Sequence, residues 1–338
     1  MEGQDISTSR RSAELQSPSR KSKKMTRIFS TSTSLASLVL GLIAMAASAQ
    51  TTGWTLPQGG TTLNLWPGQA PGSAPSSTPE GDLTKPDAKP IGGRRVTIYG
   101  NVSTPTLTVY EPKHPTGAVI AVFPGGGYNI LAIDLEGTEV CDWLTSRGIT
   151  CALVKYRVPH TGPYPEKSDA ALQDAQRAVS LIRAHAAEWK IDPRRIGVLG
   201  FSAGGHLAAM LSSHFDVRLY PHVDAADDVS CRPDFSVLIY PAYLSVPGDD
   251  FKPSPDIKAS TQTPPAFIVQ TEDDPVRVEN AVAYFLALKK EKVAAELHLY
   301  AEGGHGYGLR HTTLPVTEWP RLAETWFRTI RVDAATAP

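Results

Sequence analysis

A serine between two glycines stands where the sequence changes from a strand pattern to a helix pattern. Residues 196–206 read IGVLGFSAGGH, in which Val198 and Leu199 belong to a short apolar run that precedes Ser202. In a G-x-S-x-G turn between a strand and a helix, the glycines leave room for a sharp backbone turn that exposes the serine hydroxyl. Such a hydroxyl can attack a carbonyl carbon, so the pattern indicates nucleophilic acyl chemistry.

A serine hydroxyl is a weak nucleophile near neutral pH and needs a base to take its proton. The candidate base is His305, which lies in the run EGGHGYG directly after the last predicted strand. Its flanking glycines suit a loop that presents an imidazole to a neighbouring strand end. We expect the other eight histidines to be ordinary surface or core side chains.

Two neighbouring aspartates compete to orient this histidine. Asp273 and Asp274 lie in the run TEDDPV after the seventh predicted strand, where a carboxylate can accept the second ring N–H and hold the tautomer. In many enzymes of this arrangement the acid precedes a valine by three residues, and Asp273 stands three before Val276. We therefore expect Asp273 to be the acid, with Asp274 as the alternative. The order Ser202, Asp273, His305 is that of α/β-hydrolases.

A run of three glycines, PGGGY at 124–128, follows the third predicted strand. Glycine backbone can approach a substrate closely, so the N–H groups of Gly126 and Gly127 can point at a developing oxyanion together with that of Ala203. The alternative is a phosphate-binding loop or a plain turn. No GK[ST] sequence follows, so a Walker phosphate loop is rejected.

The elements that must position these groups alternate along the chain from Arg95 onward. Short apolar runs predict eight strands, at 96–99, 107–110, 118–123, 151–156, 196–199, 235–240, 266–270 and 295–300. Amphipathic stretches predict helices at 136–146, 169–189, 203–213, 278–290 and 315–330. This alternation predicts an α/β fold, a mostly parallel eight-stranded sheet with helices on both faces.

The amino end predicts an export signal. Basic residues precede a short apolar run at 35–46, and Ala47-Ser48-Ala49 supplies a small-x-small cleavage pattern, so we expect residues 1–49 to be a lead and signal peptide. The run is too short for a membrane span. We expect residues 50–93, rich in Pro, Gly, Ser and Thr, to be an extended arm. The catalytic domain then covers 94–338, and its loops at 214–234 and 241–265 are expected to overhang the serine with polar residues, without a large lid domain.

Charge and cysteine content exclude several classes. The 338-residue chain has a net charge of −1; residues 1–49 hold seven basic and three acidic side chains, so 26 basic and 31 acidic remain beyond them, a charge of −5. That balance argues against nucleic acid as a partner. Three cysteines, at 141, 151 and 231, are too few for a disulfide framework or a CxxC metal site, although two could pair and leave one buried thiol. We expect no metal and no cofactor.

These motifs together resemble the α/β-hydrolases of the esterase and lipase type, and most of all the exported bacterial carbohydrate esterases grouped as acetyl-xylan-esterase-like. The similarity runs through almost all of the chain beyond residue 49, in the segments 65–68, 124–128, 154–159, 192–206, 272–280 and 303–309. One departure is Pro124, which stands where the hormone-sensitive-lipase-like pattern has a histidine before its glycines. The proline argues against membership of the hormone-sensitive-lipase-like branch, but it does not remove the expected N–H donors Gly126 and Gly127.

The resemblance implies a secreted or periplasmic serine esterase that removes acetyl groups from carbohydrate such as acetylated xylan. Its partner would be a small-molecule or oligosaccharide ester, and the sequence does not predict an oligomeric state. A general carboxylesterase, a lipase or a feruloyl esterase would use the same residues with a different acyl pocket. A non-catalytic binding protein on this fold is an alternative of another class, and the presence of every candidate catalytic residue argues against it.

Overall fold

The computed structural model describes residues 59–73, 78–158 and 169–332. The predicted signal at residues 1–49 lies outside these stretches, and so do two parts of the predicted arm, residues 50–58 and 74–77. In the three described stretches, no helix is both long and apolar enough to cross a lipid bilayer.

Thirteen strands and five α-helices are named here in chain order. The strands are β1 (Thr61–Asn64), β2 (Gly81–Asp82), β3 (Ile98–Gly100), β4 (Thr106–Tyr110), β5 (Val119–Phe123), β6 (Ile130–Ala132), β7 (Thr150–Lys155), β8 (Ile196–Phe201), β9 (Phe235–Ile239), β10 (Ser245–Val246), β11 (Asp249–Pro253), β12 (Ala266–Thr271) and β13 (Ala295–Tyr300). The helices are α1 (Glu139–Ser146), α2 (Asp169–Ala184), α3 (Ala203–Ser213), α4 (Glu279–Lys290) and α5 (Trp319–Thr329).

Eight of the strands form one sheet in the order β1-β4-β7-β5-β8-β9-β12-β13. The strand β4 runs antiparallel to both of its neighbours, and every pair from β7 to β13 is parallel. Parallel neighbours need crossover connections, which the helices supply on both faces of the sheet. The predicted fold class is therefore confirmed.

The central strands β5 and β8 are buried along their whole length. Because both of their faces are covered by helices, they read as continuous apolar runs and not as alternating ones. On one side, Trp143 of α1 meets Trp319 of α5 with ring centroids 5.5 Å apart. The helices α2 and α3 pack on each other and on β8. These layers bring the carboxyl ends of β5, β8 and β12 to one edge of the sheet.

One strand assignment from the sequence was wrong. The stretch expected at 96–99 to join the main sheet contributes instead to β3, which pairs antiparallel with β2 and β6 in a separate three-stranded sheet. The eighth strand of the main sheet is β1, from the segment expected to be an extended arm. Its side chains are mostly exposed, and Thr62 Oγ1 lies 2.9 Å from Thr108 Oγ1 on β4. An exposed edge strand needs no apolar alternation, so composition did not reveal it.

A disulfide joins α1 to the strand that follows it. Cys141 and Cys151, ten positions apart, are bonded, and Cys231 is a free, buried thiol whose Sγ donates to the carbonyl of Phe215 at 3.3 Å. Burial raises the pKa of the Cys231 thiol. The sequence left the pairing open, and its expectation of one buried leftover thiol is confirmed.

Reduction of this disulfide should lower the free energy of unfolding by about 2–3 kcal/mol, because the crosslink removes conformational freedom from a short loop of the unfolded chain. Equilibrium urea unfolding with and without a phosphine reductant measures the difference. A Cys141→Ala/Cys151→Ala double variant is the control and should be insensitive to the reductant. An unchanged unfolding midpoint for the reduced native sequence would contradict the expectation.

Candidate active site

Ser202 lies in a strained turn between β8 and α3. Its backbone has φ 51° and ψ −117°, outside the regions that non-glycine residues favour. A Cβ at Gly200 would collide with the Gly204 carbonyl, and one at Gly204 would collide with the carbonyl of Phe123. The two glycines are therefore required by close backbone approach, as the sequence motif predicted.

His305 lies in the loop after β13 and reaches Ser202. Its Nε2 is 2.9 Å from Ser202 Oγ, which is within hydrogen-bond distance. The side chain of His305 is about one-quarter exposed, whereas Ser202 as a residue is 8 % exposed. The structure thus brings together the two residues that the sequence singled out as nucleophile and base.

The carboxylate that contacts this histidine is Asp274. Its Oδ2 lies 2.8 Å from His305 Nδ1, and its other oxygen accepts the backbone N–H of Val276 at 2.7 Å. The side chain of Asp274 is fully buried. The expectation that Asp273 would hold His305 does not match this geometry, and the alternative that the sequence left open does.

Asp273 instead binds the backbone of the loop that carries His305. Its carboxylate accepts the backbone N–H of Gly304 at 2.8 Å and that of Gly303 at 3.2 Å. The hydrogen bond from Gly304, followed by that from Gly303, holds the pKa of Asp273 below its ordinary value. Spacing to Val276 could not separate the two aspartates, because the turn after β12 decides which side chain points inward.

The glycine run after β5 adopts the backbone expected of an anion-binding loop. Gly126 has φ 136° and Gly127 has φ 62°, conformations that suit glycine, and a Cβ on Gly126 would collide with the Ile130 carbonyl. In the part of the chain that the structure describes, no hydrogen bond uses the N–H of Gly126 or Gly127. Ala203 begins α3, so its N–H has no acceptor within the helix. Gly127 lines the same cavity as Ser202, and Ala203 follows Ser202 directly, so the N–H groups of Gly126, Gly127 and Ala203 remain the predicted oxyanion donors.

Two buried side chains near this site had no sequence signal. Tyr240, directly after β9, has φ 39°, and its ring meets the His305 ring edge-on with centroids 4.8 Å apart. Its hydroxyl donates to Glu136 Oε1 at 2.8 Å. Glu136 was expected to begin an amphipathic helix over 136–146, but residues Asp134–Thr138 form a π-helical turn and α1 begins only at Glu139.

A cavity of about 620 Å³ opens beside Ser202. Its wall is formed by the glycine loop after β5, the segment after β9, the β10–β11 hairpin with the residues that follow it, and the turn before α4 with the first turn of that helix. The lining residues besides Ser202 are Gly127, Ala242, Tyr243, Ser245, Val246, Pro247, Ser254, Pro255, Pro275, Val276, Arg277 and Asn280. Asn280 joins two of these walls. Its Oδ1 accepts the N–H of Leu244 and its Nδ2 donates to the Arg277 carbonyl.

The roof of this cavity differs from the expected one. Segment 241–265 contributes to the wall, mainly through apolar and small side chains. Segment 214–234 contributes none of its lining; Asp224 and Asp227 of that segment bind Arg177 of α2, at 2.8 and 3.0 Å from Nη1. Asp227, one of the charged residues that the sequence predicted over the serine, is therefore a structural partner of α2. Of the two expected loops, only 241–265 lines the described cavity.

The fold and the geometry of the site together identify the class of protein. A serine on a strand-turn-helix elbow, followed in chain order by a carboxylate and a histidine that contact one another, on a mostly parallel sheet, is the arrangement of the α/β-hydrolases.

Comparison with known proteins agrees with this class. The profile of the BD-FAE family matches residues 107–237. An acetylxylan esterase from Xylanibacter ruminicola is 31% identical over 226 residues, covering 60% of this chain and 43% of that protein. The endo-1,4-beta-xylanase B of Butyrivibrio fibrisolvens is 32% identical over 205 residues, covering 55% of this chain and 32% of that protein. The chain thus spans less than half the length of these two relatives.

A solved structure extends the similarity over a whole protein. The acetyl ester-xyloside bifunctional hydrolase from Caldicellulosiruptor lactoaceticus is 35% identical with a TM-score of 0.62, and the match covers 82% of this chain and 98% of that one. The chain therefore belongs to the α/β-hydrolase superfamily, among its carboxylic ester hydrolases. The family resemblance inferred from the sequence motifs is confirmed.

Proposed function

We propose that this chain is a serine esterase that removes short acyl groups, above all acetyl, from carbohydrate hydroxyls such as those of xylan. The observation that carries the proposal is the continuous contact of Asp274, His305 and Ser202 at the mouth of a cavity. The two relatives and the solved structure, whose names include acetylxylan, xylanase and acetyl ester-xyloside, support the carbohydrate class.

In the proposed reaction Ser202 is the nucleophile. His305 Nε2 accepts the hydroxyl proton as Ser202 Oγ attacks the ester carbonyl, and Asp274 accepts the N–H at Nδ1 and stabilises the imidazolium. The imidazolium then protonates the departing sugar oxygen, which leaves an acetyl group on Ser202. Water, deprotonated by His305, attacks this acyl-enzyme and releases acetate.

The proposed oxyanion donors are the backbone N–H groups of Gly126, Gly127 and Ala203. Charge develops on the carbonyl oxygen in the tetrahedral intermediate, and fixed N–H dipoles stabilise it without reorganisation. The N–H of Gly125 is not among the donors, because it is already bound to Glu136 Oε2 at 2.6 Å. The basic residues and apolar run before Ala49 further support export of this enzyme to the periplasm or the medium.

Acetate release from acetylated xylo-oligosaccharide tests this proposal. We expect turnover on that substrate as well as on 4-nitrophenyl acetate, because the cavity of about 620 Å³ leaves room for a sugar beside the acetyl group. The Asp274→Asn variant run beside it should lose both activities. Turnover of the synthetic ester alone would contradict the assignment to carbohydrate substrates and would favour the function of a general esterase.

A second candidate follows from the cavity wall. Its apolar residues, including Val246, Pro247 and Val276, could pack against a larger acyl group, as in a carboxylesterase, lipase or feruloyl esterase. Each buried CH₂ would gain about 0.8 kcal/mol on such a wall.

We nevertheless expect acetyl esters to have a higher kcat/KM than octanoyl esters, because Ser245, Ser254 and Arg277 interrupt the apolar wall. A series of 4-nitrophenyl esters with a constant leaving group measures this. Val217→Ala, at an exposed residue outside the cavity, should leave the profile unchanged. A maximum at eight or more carbons would contradict the acetyl assignment and favour the lipase.

A further inference from the structure

Glu136 is a buried carboxylate directly beneath the glycine loop. It is 4 % exposed and lies in the π-helical turn Asp134–Thr138. Its Oε2 accepts the N–H of Gly125 at 2.6 Å, and its Oε1 accepts the hydroxyl of Tyr240 at 2.8 Å. Both partners are neutral donors. Burial of a carboxylate against neutral donors costs free energy, so a buried glutamate at position 136 suggests a functional role for its carboxylate.

These two hydrogen bonds connect Glu136 to the glycine loop after β5 and, through Tyr240, to the loop that carries His305. Gly125 precedes the proposed oxyanion donors Gly126 and Gly127. Tyr240 Oη in turn accepts the N–H of Gly308, three residues after His305, at 3.2 Å. One side chain therefore connects the oxyanion loop with the loop that carries the base.

The hydrogen-bond directions favour the ionised form of Glu136. Because Tyr240 Oη accepts from Gly308, its own proton faces Glu136, and both carboxylate oxygens act as acceptors. Burial, and next the charge of Glu136, raises the pKa of Tyr240 well above its ordinary value, so this hydroxyl remains a donor. The pKa of Glu136 lies above its ordinary value because of burial, and the charge of Asp134 adds to this rise. The hydrogen bonds from Tyr240 and Gly125 and the charge of His305 offset the rise in part.

Other ionisable groups surround this pair. Asp274 contacts His305 Nδ1, Asp273 binds the backbone of the same loop, and the buried phenol of Tyr307 lies on that loop. Asp134, in the same turn as Glu136, accepts the N–H of Thr97 and lies 3.5 Å from Arg310, and the buried phenol of Tyr156 faces Glu136. Tyr240 thus contacts the imidazole through its ring and the Glu136 carboxylate through its hydroxyl.

We propose that Glu136 is a positioning residue: its carboxylate fixes the oxyanion loop and the His305 loop relative to Ser202, and its charge stabilises the imidazolium across Tyr240. This inference rests on the proposed function, since it needs His305 to be the base. In the reaction Glu136 neither touches the substrate nor transfers a proton.

The Glu136→Gln variant tests the proposal through its pH profile. The acid limb of kcat/KM reports the protonation of the base, and a nearby negative charge favours the protonated form. Its removal should move that limb to lower pH by about 0.5 to 1 unit. We also expect kcat to fall roughly 10- to 100-fold with KM changed less than threefold, because small displacements of reacting groups are costly. An unmoved limb would overturn the proposal, whatever the change in kcat.

The Tyr240→Phe variant provides a second test that preserves side-chain volume. It removes the hydroxyl that stabilises the carboxylate, so the limb should shift in the same direction and by less; an unmoved limb here overturns the proposal even if Glu136→Gln does not fold. Asp134→Asn is the matched control, with the same loss of charge in the same turn at a carboxylate already paired with Arg310. Its limb should coincide with that of the native enzyme.

Active-site titration with a fluorophosphonate separates this inference from the proposed function. If the native enzyme is not labelled at Ser202, the proposed function fails. If it is labelled, and either Glu136→Gln or Tyr240→Phe keeps the native acid limb, only the role of Glu136 fails.

Discussion

The Ser202→Ala variant is expected to lose ester hydrolysis by about 10⁴- to 10⁶-fold in kcat while it remains folded. The variant removes the only atom that can form the acyl-enzyme, whereas the oxyanion donors and the cavity remain. The small substitution leaves the buried surroundings of the elbow intact. Initial rates on 4-nitrophenyl acetate and a thermal unfolding curve measure the two effects.

The control for this variant is Ser212→Ala, on the helix α3 that follows Ser202. Ser212 is buried, and its Oγ donates to the Ala208 carbonyl within α3, away from the contacts of His305. Its activity should stay within about twofold of the native value, since the substitution removes only one intrahelical hydrogen bond. Retention of a tenth of the native activity by Ser202→Ala would contradict the assignment of the nucleophile.

The Asp274→Asn variant is expected to reduce kcat by about 10⁴-fold, because an asparagine amide at this position favours the wrong tautomer of His305. Both oxygens of Asp274 are engaged, one by His305 Nδ1 and one by the N–H of Val276. An amide nitrogen in place of either oxygen would face a donor. Steady-state kinetics on the same synthetic ester provide the measurement.

The neighbouring Asp273→Asn substitution is the matched control. It makes the same chemical change one residue away, where the carboxylate accepts backbone N–H groups of the His305 loop and does not contact the imidazole. We expect at most about a tenfold loss from less accurate placement of the histidine. Equal losses in the two variants, or a larger loss for Asp273→Asn, would contradict the assignment of Asp274. The acid would then be Asp273, which the spacing to Val276 favours.

The parts of the fold that the sequence predicted are those with buried, continuous apolar runs. The strands expected at 118–123 and 235–240 lie within one residue of the observed bounds of β5 and β9, and the helix expected at 203–213 has the observed bounds of α3. Covered strands must be apolar on both faces, so their signal does not depend on context. The edge strand β1 lacked this signal because its stability comes from pairing with β4 and not from its own composition.

At the site, the sequence predicted the residues whose backbone or neighbours are constrained. Ser202 needs its glycines for steric reasons, and Gly126 and Gly127 of the loop after β5 have positive φ, so both sites show a recognisable glycine pattern in the sequence. Two adjacent aspartates carry no such constraint; which one faces His305 depends on a turn of three residues. Glu136 left no pattern either, because its contacts come from segments 11 and 104 positions away.

The most direct test of the account is covalent labelling of the native protein by a fluorophosphonate, followed by peptide mapping. The reagent reacts with a serine whose hydroxyl is activated by a base and whose oxyanion is stabilised, so labelling reports the whole site at once. We predict one adduct per chain, on the peptide that contains Ser202, absent in Ser202→Ala and strongly slowed in Asp274→Asn. An adduct on another residue, or none on the folded native protein, would contradict the proposed mechanism.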